Sequence, residues 1–205
     1  RNESSAASDV YKRQPLMWVI LICSLVALTI VFERMLTLRT KQVAPASLRQ
    51  QVLELMRTKR VTAEKVDVIR NHSPLGTVLA GGLDNLAYGP ESMREGFEEA
   101  GKMVVHRLGR YLNTLGTIAS ITPLLGLLGT VIGMIKVFTT ITASGVGDPT
   151  ILSGGISEAL ITTAAGLSVG IPCLMFYRHF RGRIVELRVI LEENALAVLE
   201  ASKHS

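Results

Sequence analysis

Uncharged apolar runs alternate with charged amphipathic ones along this chain, and their lengths predict helices of two kinds. Residues 16–32 hold seventeen positions without a charge, residues 111–135 hold twenty-five, and residues 149–177 carry a single charge, Glu158. A bilayer core about 30 Å thick needs about 20 helical residues, with about 17–25 tolerated, so three spans fit and the first is at the short limit. Between the first two runs, apolar positions recur at helical spacing: Leu48, Val52, Leu55 and Met56 within 46–60, and Leu75, Val78, Leu79 and Leu83 after Ser73-Pro74. A further short helix is expected over 63–70. Gly81-Gly82 weakens the one that starts at Ser73-Pro74.

From Pro90 onward the pattern predicts something longer. Proline suits a first helical turn, Glu91 and Glu95 suit its positive end, and Phe97, Ala100, Val104, Leu108, Tyr111 and Leu115 continue the spacing into the second span. A continuous helix over 91–139 of about 49 residues would reach roughly 74 Å, well beyond a bilayer. The third span should likewise continue into the tail, where Ile184, Leu187, Leu191, Ala195 and Leu199 keep the period. The expected fold is an all-α membrane protein with three transmembrane helices, the second and third extending into the cytoplasm.

Charge sets the expected topology. Hydrophobic residues make up 48% and charged residues 19% of the chain, and the charges fall in blocks. Residues 33–110 carry thirteen Lys/Arg, residues 137–155 none, and the tail adds Arg178, Arg181, Arg183, Arg188 and Lys203. The positive-inside rule then makes 33–110 and 178–205 cytoplasmic, and places the N-terminus and the 137–149 link on the outer side, which the resemblance given below makes the periplasm. The spans become 15–32, 111–136 and 150–177. The net charge of +5 therefore reads as topology, and no motif suggests nucleic-acid binding. Residues 1–14 are polar, lack the apolar core of a signal peptide and are expected to be a non-native leader.

Enzymatic chemistry finds little support. Cys23 and Cys173 lie in apolar spans, the four histidines are scattered, and there is no metal-ligand spacing, phosphate loop or nucleophile motif. The expectation is a protein that is not an enzyme, with no catalytic residue, metal or cofactor. The informative group is Glu158, because an ionisable side chain within a span is costly and marks an ion or proton path. An apolar setting favours the neutral form of a carboxyl, and nearby hydroxyls can orient water. Thr162 shares the helix face of Glu158, whereas Thr163 lies about 140° around. Asp148-Pro149 reads as the N-cap and first turn of this helix. Gly126, Gly129 and Gly133 in the second span, and Gly166 and Gly170 in the third, form small-residue faces that let helices approach closely. The plainer alternative is that Glu158 only bonds a neighbouring helix or pairs with Lys136.

Two strings carry a resemblance: PLLGLLGTVIGMIKVF at 123–138 and GISEALITTAAGLSVGIPCLMFY at 155–177. With Phe32-Glu33-Arg34 and Ser73-Pro74-Leu75-Gly76, they resemble the ExbB/TolQ/MotA proton-channel family, nearest its ExbB branch. The resemblance implies a pentameric homo-oligomer in the bacterial inner membrane, whose pore wall is made by the second and third spans. It implies a single-span ExbD-like partner in the middle, a TonB-like periplasmic transducer, and energy drawn from the protonmotive force for outer-membrane transport. It also implies that Thr130, Glu158 and Thr163 are polar pore residues, with Thr162 beside them. Three spans rather than four argue against the MotA branch. A TolQ-like role in envelope maintenance and a non-conducting scaffold stand as alternatives.

Overall fold

The computed structural model describes residues 15–144 and 149–203. In chain order the helices are α1 (Pro15–Thr37), α2 (Thr40–Val43), α3 (Ala46–Arg57), α4 (Ala63–His72), α5 (Pro74–Leu83), a 3-10 turn (Leu86–Tyr88), α6 (Pro90–Leu108), α7 (Leu112–Ser144) and α8 (Pro149–Ser202). No strand occurs among the described residues. Helices α1, α7 and α8 contain the three stretches long and apolar enough to cross a membrane, and the chain is an all-α membrane protein. The 1–14 segment and Asp148, the expected cap of the third span, lie outside the described residues.

Two helix starts follow local chemistry closely. The Ser73 hydroxyl accepts from the Gly76 backbone N–H at 3.1 Å and Pro74 fills the first turn, which satisfies a donor that every helix start leaves over. Gly89, with φ +96°, turns the chain into α6, where Pro90 occupies the first helical position. Helix α3 stops at Arg57, short of the expected residue 60, and Lys59 adopts φ +52° just beyond it. The 137–149 link is mostly helical: α7 runs through Ser144 and α8 begins at Pro149.

The unbroken helix expected over 91–139 is two helices. Helix α6 ends at Leu108, Gly109 follows at φ −77° and ψ −3°, and Tyr111 takes φ +65°, a left-handed conformation that interrupts the ladder of backbone bonds. The end is fastened from α1. Arg34 is 4% exposed and donates from Nη1 to the Leu108 carbonyl at 2.9 Å, supplying a donor to one of the carbonyls that a helix C-terminus leaves over. Its Nε and Nη2 donate to the Glu33 carboxylate, which also accepts from Thr37 Oγ1.

The third span does continue. Helix α8 runs for 54 residues, and in its later part Leu187, Leu191, Ala195 and Leu199 are buried. By internal contacts the chain divides into two compact units. One takes α1 as far as Phe32 together with Tyr111–Arg178, and the other takes Glu33–Arg110 with α8 from His179 onward. In the second unit α5 packs on α6: Gly82 lies under the Phe97 ring, and Gly81 and Gly96 meet backbone to backbone. Arg183 Nη2 donates to Thr40 Oγ1, which ties α8 to α2.

Candidate functional site

The site is built on an antiparallel seam between α7 and α8 in the first unit. Going down α7, Gly116 faces the Tyr177 ring, Pro123 faces Gly170, Gly126 faces Gly166 and Thr163, Gly129 faces Thr162, Gly133 faces Ala159, and Val137 faces Gly155. A Cβ placed on Gly129 would lie 2.5 Å from Thr162 Cγ2, one on Gly133 2.6 Å from Ala159 Cβ, and one on Gly166 2.7 Å from the Thr122 carbonyl. No side chain fits at these positions without moving a helix. In lipid, where apolar surfaces gain little by meeting one another, such close approach is what holds helices together.

The polar residues are arranged around this seam. Thr163, half-buried, donates from Oγ1 across it to the Gly126 carbonyl at 2.7 Å. Thr162, 1% exposed, rests on Gly129 and donates to the Glu158 carbonyl in its own helix at 3.0 Å. Thr130 donates to the Leu127 carbonyl within α7 at 2.6 Å. Glu158 is half-buried one turn before Thr162. The five glycines at 126, 129, 133, 166 and 170 and the two threonines of α8 therefore meet at one interface. Thr130 directs its hydroxyl hydrogen into its own helix instead.

Each of these three hydroxyls has one hydrogen, and each gives it to a backbone carbonyl. A hydroxyl oxygen can also accept, and at Thr130 and Thr163 that capacity is not used by the bonds just described. The arrangement can therefore receive a hydrogen bond from water or a protonated carboxyl, but a relay through these hydroxyls requires them to release a carbonyl first. The titratable side chain on this stretch of α8 is that of Glu158. Among the described residues no group of His, Cys, Asp and Glu is placed to hold a metal ion.

One residue of the arrangement was not singled out from sequence. Thr122 is fully buried, bonds the Ile118 carbonyl, and presents its own carbonyl to Gly166. The signal was available in Pro123, which has no N–H for the Ala119 carbonyl and so marks an irregular, closely packed turn.

The family model of the MotA/TolQ/ExbB proton channel family matches residues 70–193, more than half of the chain. The ExbB-like 1 biopolymer transport protein of Synechocystis sp. is 34% identical over 170 residues, covering 79% of this chain and 65% of that protein. The biopolymer transport protein ExbB of Salmonella typhimurium is 35% identical over 99 residues, 46% of this chain and 41% of that protein. The Tol-Pal system protein TolQ of Haemophilus influenzae is 33% identical over 99 residues, 46% of this chain and 43% of that protein. The chain thus spans less than two thirds of the length of each of these three. With the glycine seam, the two threonines and the intramembrane glutamate on one pair of helices inside the matched region, the chain is a member of the MotA/TolQ/ExbB proton channel family.

Proposed function

We propose that this protein is the channel-wall and stator subunit of an inner-membrane motor that draws on the protonmotive force to energise TonB-dependent transport across the outer membrane. Its partners on this reading are further copies of itself, as a pentamer, a single-span ExbD-like protein and a TonB-like transducer. The N-terminus is periplasmic and the C-terminus cytoplasmic. The relatives named for ExbB and TolQ support a proton-channel-type subunit of an energising complex. The observation that carries the reading further is the carboxyl of Glu158, one turn from a threonine pair wedged against the α7 glycines. A proton crossing the membrane releases about 2.3 kcal/mol per 100 mV, enough to bias a two-state packing change.

Growth on a scarce iron chelate, in cells lacking their own copy, tests this. The protein is supplied with its ExbD-like partner as wild type and as Glu158→Gln, with membrane levels and co-purification checked. The variant is expected to assemble and fail to support growth. Equal growth with equal assembly would leave Glu158 a structural group and favour the scaffold reading. A TolQ-like role is the second reading, since the identity to TolQ over 99 residues is close to that for ExbB. Rescue of detergent sensitivity in cells lacking TolQ, with no rescue of iron uptake, would select it.

A further inference from the structure

The Leu108 carbonyl has two claimants. In an unbroken α-helix it would accept from the N–H of Leu112, four residues on. Here it accepts from Arg34 Nη1 at 2.9 Å, and the chain just beyond leaves the helical ladder. Arg110 N–H bonds the Arg107 carbonyl at 3.2 Å, three residues back, and Tyr111 stands at φ +65°. Regular bonding resumes where Leu115 N–H meets the Tyr111 carbonyl at 3.0 Å. Nothing in the residue types requires the break. The apolar spacing from Phe97 to Leu115 runs through it, no proline falls between Leu108 and Leu112, and Gly109 lies at φ −77° and ψ −3°. A tyrosine gains nothing from a left-handed backbone, and strain of this kind persists only where its surroundings impose it. The imposing group is buried within the single chain: Arg34 is 4% exposed, and its other nitrogens are held by the Glu33 carboxylate.

From this competition we infer that the α6–α7 junction is a two-state joint with Arg34 as its latch. In the latched form Arg34 occupies the Leu108 carbonyl and Tyr111 is left-handed. In the released form Leu112 N–H takes that carbonyl, Tyr111 returns to right-handed helix, and the Asn113 and Thr114 amides bond the Gly109 and Arg110 carbonyls. Each form gives the Leu108 carbonyl a donor, so neither leaves a backbone acceptor unpaired there. Strain at Tyr111 favours release and the charged hydrogen bond favours the latch, two effects of opposite sign and similar order. A residue just past the first span thereby sets the backbone at the foot of the second. The joint needs no proton path, so it stands apart from the channel reading given above.

Two substitutions at residue 111 push the joint in opposite directions. A left-handed valine is a steric outlier, so Tyr111→Val favours release, whereas Tyr111→Gly removes the strain and favours the latch. The readout is amide hydrogen exchange of Leu112, Asn113 and Thr114 in the full complex, held in lipid nanodiscs. The first N–H groups of a helix have no partner within it, so these amides exchange fast in the latched form and are protected in the released one. Tyr111→Val is expected to slow them at least about fivefold relative to wild type, and Tyr111→Gly to leave them as fast as wild type. The same preparations are treated with phenylglyoxal, and peptide masses should show Arg34 modified faster in Tyr111→Val than in wild type. A valine that merely damages a fixed break would quicken exchange at 112–114, and that result overturns the inference. Exchange unchanged by either substitution overturns it too, as does slowing without a gain in reactivity at Arg34. If Tyr111→Val fails to assemble, Tyr111→Ala, which places the best helix former there, is read by the same outcomes.

Discussion

The hydroxyl of Thr163 on α8 bonds the main-chain carbonyl of Gly126 on α7 at 2.7 Å, at a point where a Cβ on residue 126 would lie 3.0 Å from the Thr163 Cα. The bond exists because the glycine lets the helices approach, and it fixes the rotation of α8 in return. Interhelical hydrogen bonds in membranes average about 0.6 kcal/mol and reach about 1.7.

Thr163→Val keeps the shape and removes the donor, so it should lower stability by about 1 kcal/mol, while Thr163→Ser should stay near wild type. Thermal unfolding of the detergent-solubilised complex checks the stability order. The growth assay then shows whether activity follows the hydroxyl or the methyl.

Gly129→Val should be far more damaging. Its Cβ would lie 2.5 Å from Thr162 Cγ2 in a site that is 1% exposed, and overpacking of this kind costs about 1–3 kcal/mol or separates the helices. Gly154→Ala is the control on the same pair of helices. Nothing lies within 4 Å of a Cβ at that position, and a helical alanine gains about 0.5–1 kcal/mol over glycine, so this variant should be neutral or stabilised. Melting temperatures of the two variants side by side test the contrast.

Arg34→Met removes the donor to Leu108 and should destabilise by about 1.5–3 kcal/mol, the range for hydrogen bonds that involve a charged group. Arg34→Lys should fall between, because an ammonium lacks the planar fork that reaches the Glu33 carboxylate and the Leu108 carbonyl together. Hydrogen exchange of the amides near the end of α6 should quicken in both, and more in the methionine variant.

Asp84→Asn should do little. Arg70 bonds Asp84 at 2.6 Å, which raises the arginine pKa, but the side chains are 36% and 48% exposed. A pair of this kind contributes about 0.2–1 kcal/mol and is screened by salt. The difference in melting temperature from wild type should disappear at high salt, whereas that of Arg34→Met should persist.

The long-range order of the helices was legible where periodicity and punctuation agreed. Ser73-Pro74 marked the start of α5, Pro90 that of α6, and the spacing of Leu187, Leu191, Ala195 and Leu199 carried α8 into the tail. The break at Gly109 was misread because the apolar spacing from Phe97 to Leu115 runs through it without a gap. A glycine C-cap is a weak signal by itself, and the partner that completes it, Arg34, is distant in sequence. At the candidate site, residue type pointed to Glu158 and the threonines. That Thr162 would rest on Gly129 and Thr163 reach Gly126 depends on the register of two helices, which one-helix angles do not contain.

That register also acts as a ruler along the membrane normal. Each α7 glycine has a different counterpart, Thr163 for Gly126, Thr162 for Gly129 and Ala159 for Gly133. Sliding α8 by a single turn, about 5.4 Å, would set side chains against the wrong gaps at several levels together. Intermediate offsets would fit the gaps no better, so the level of Glu158 along α8 is set against named positions on α7 and not along a continuum.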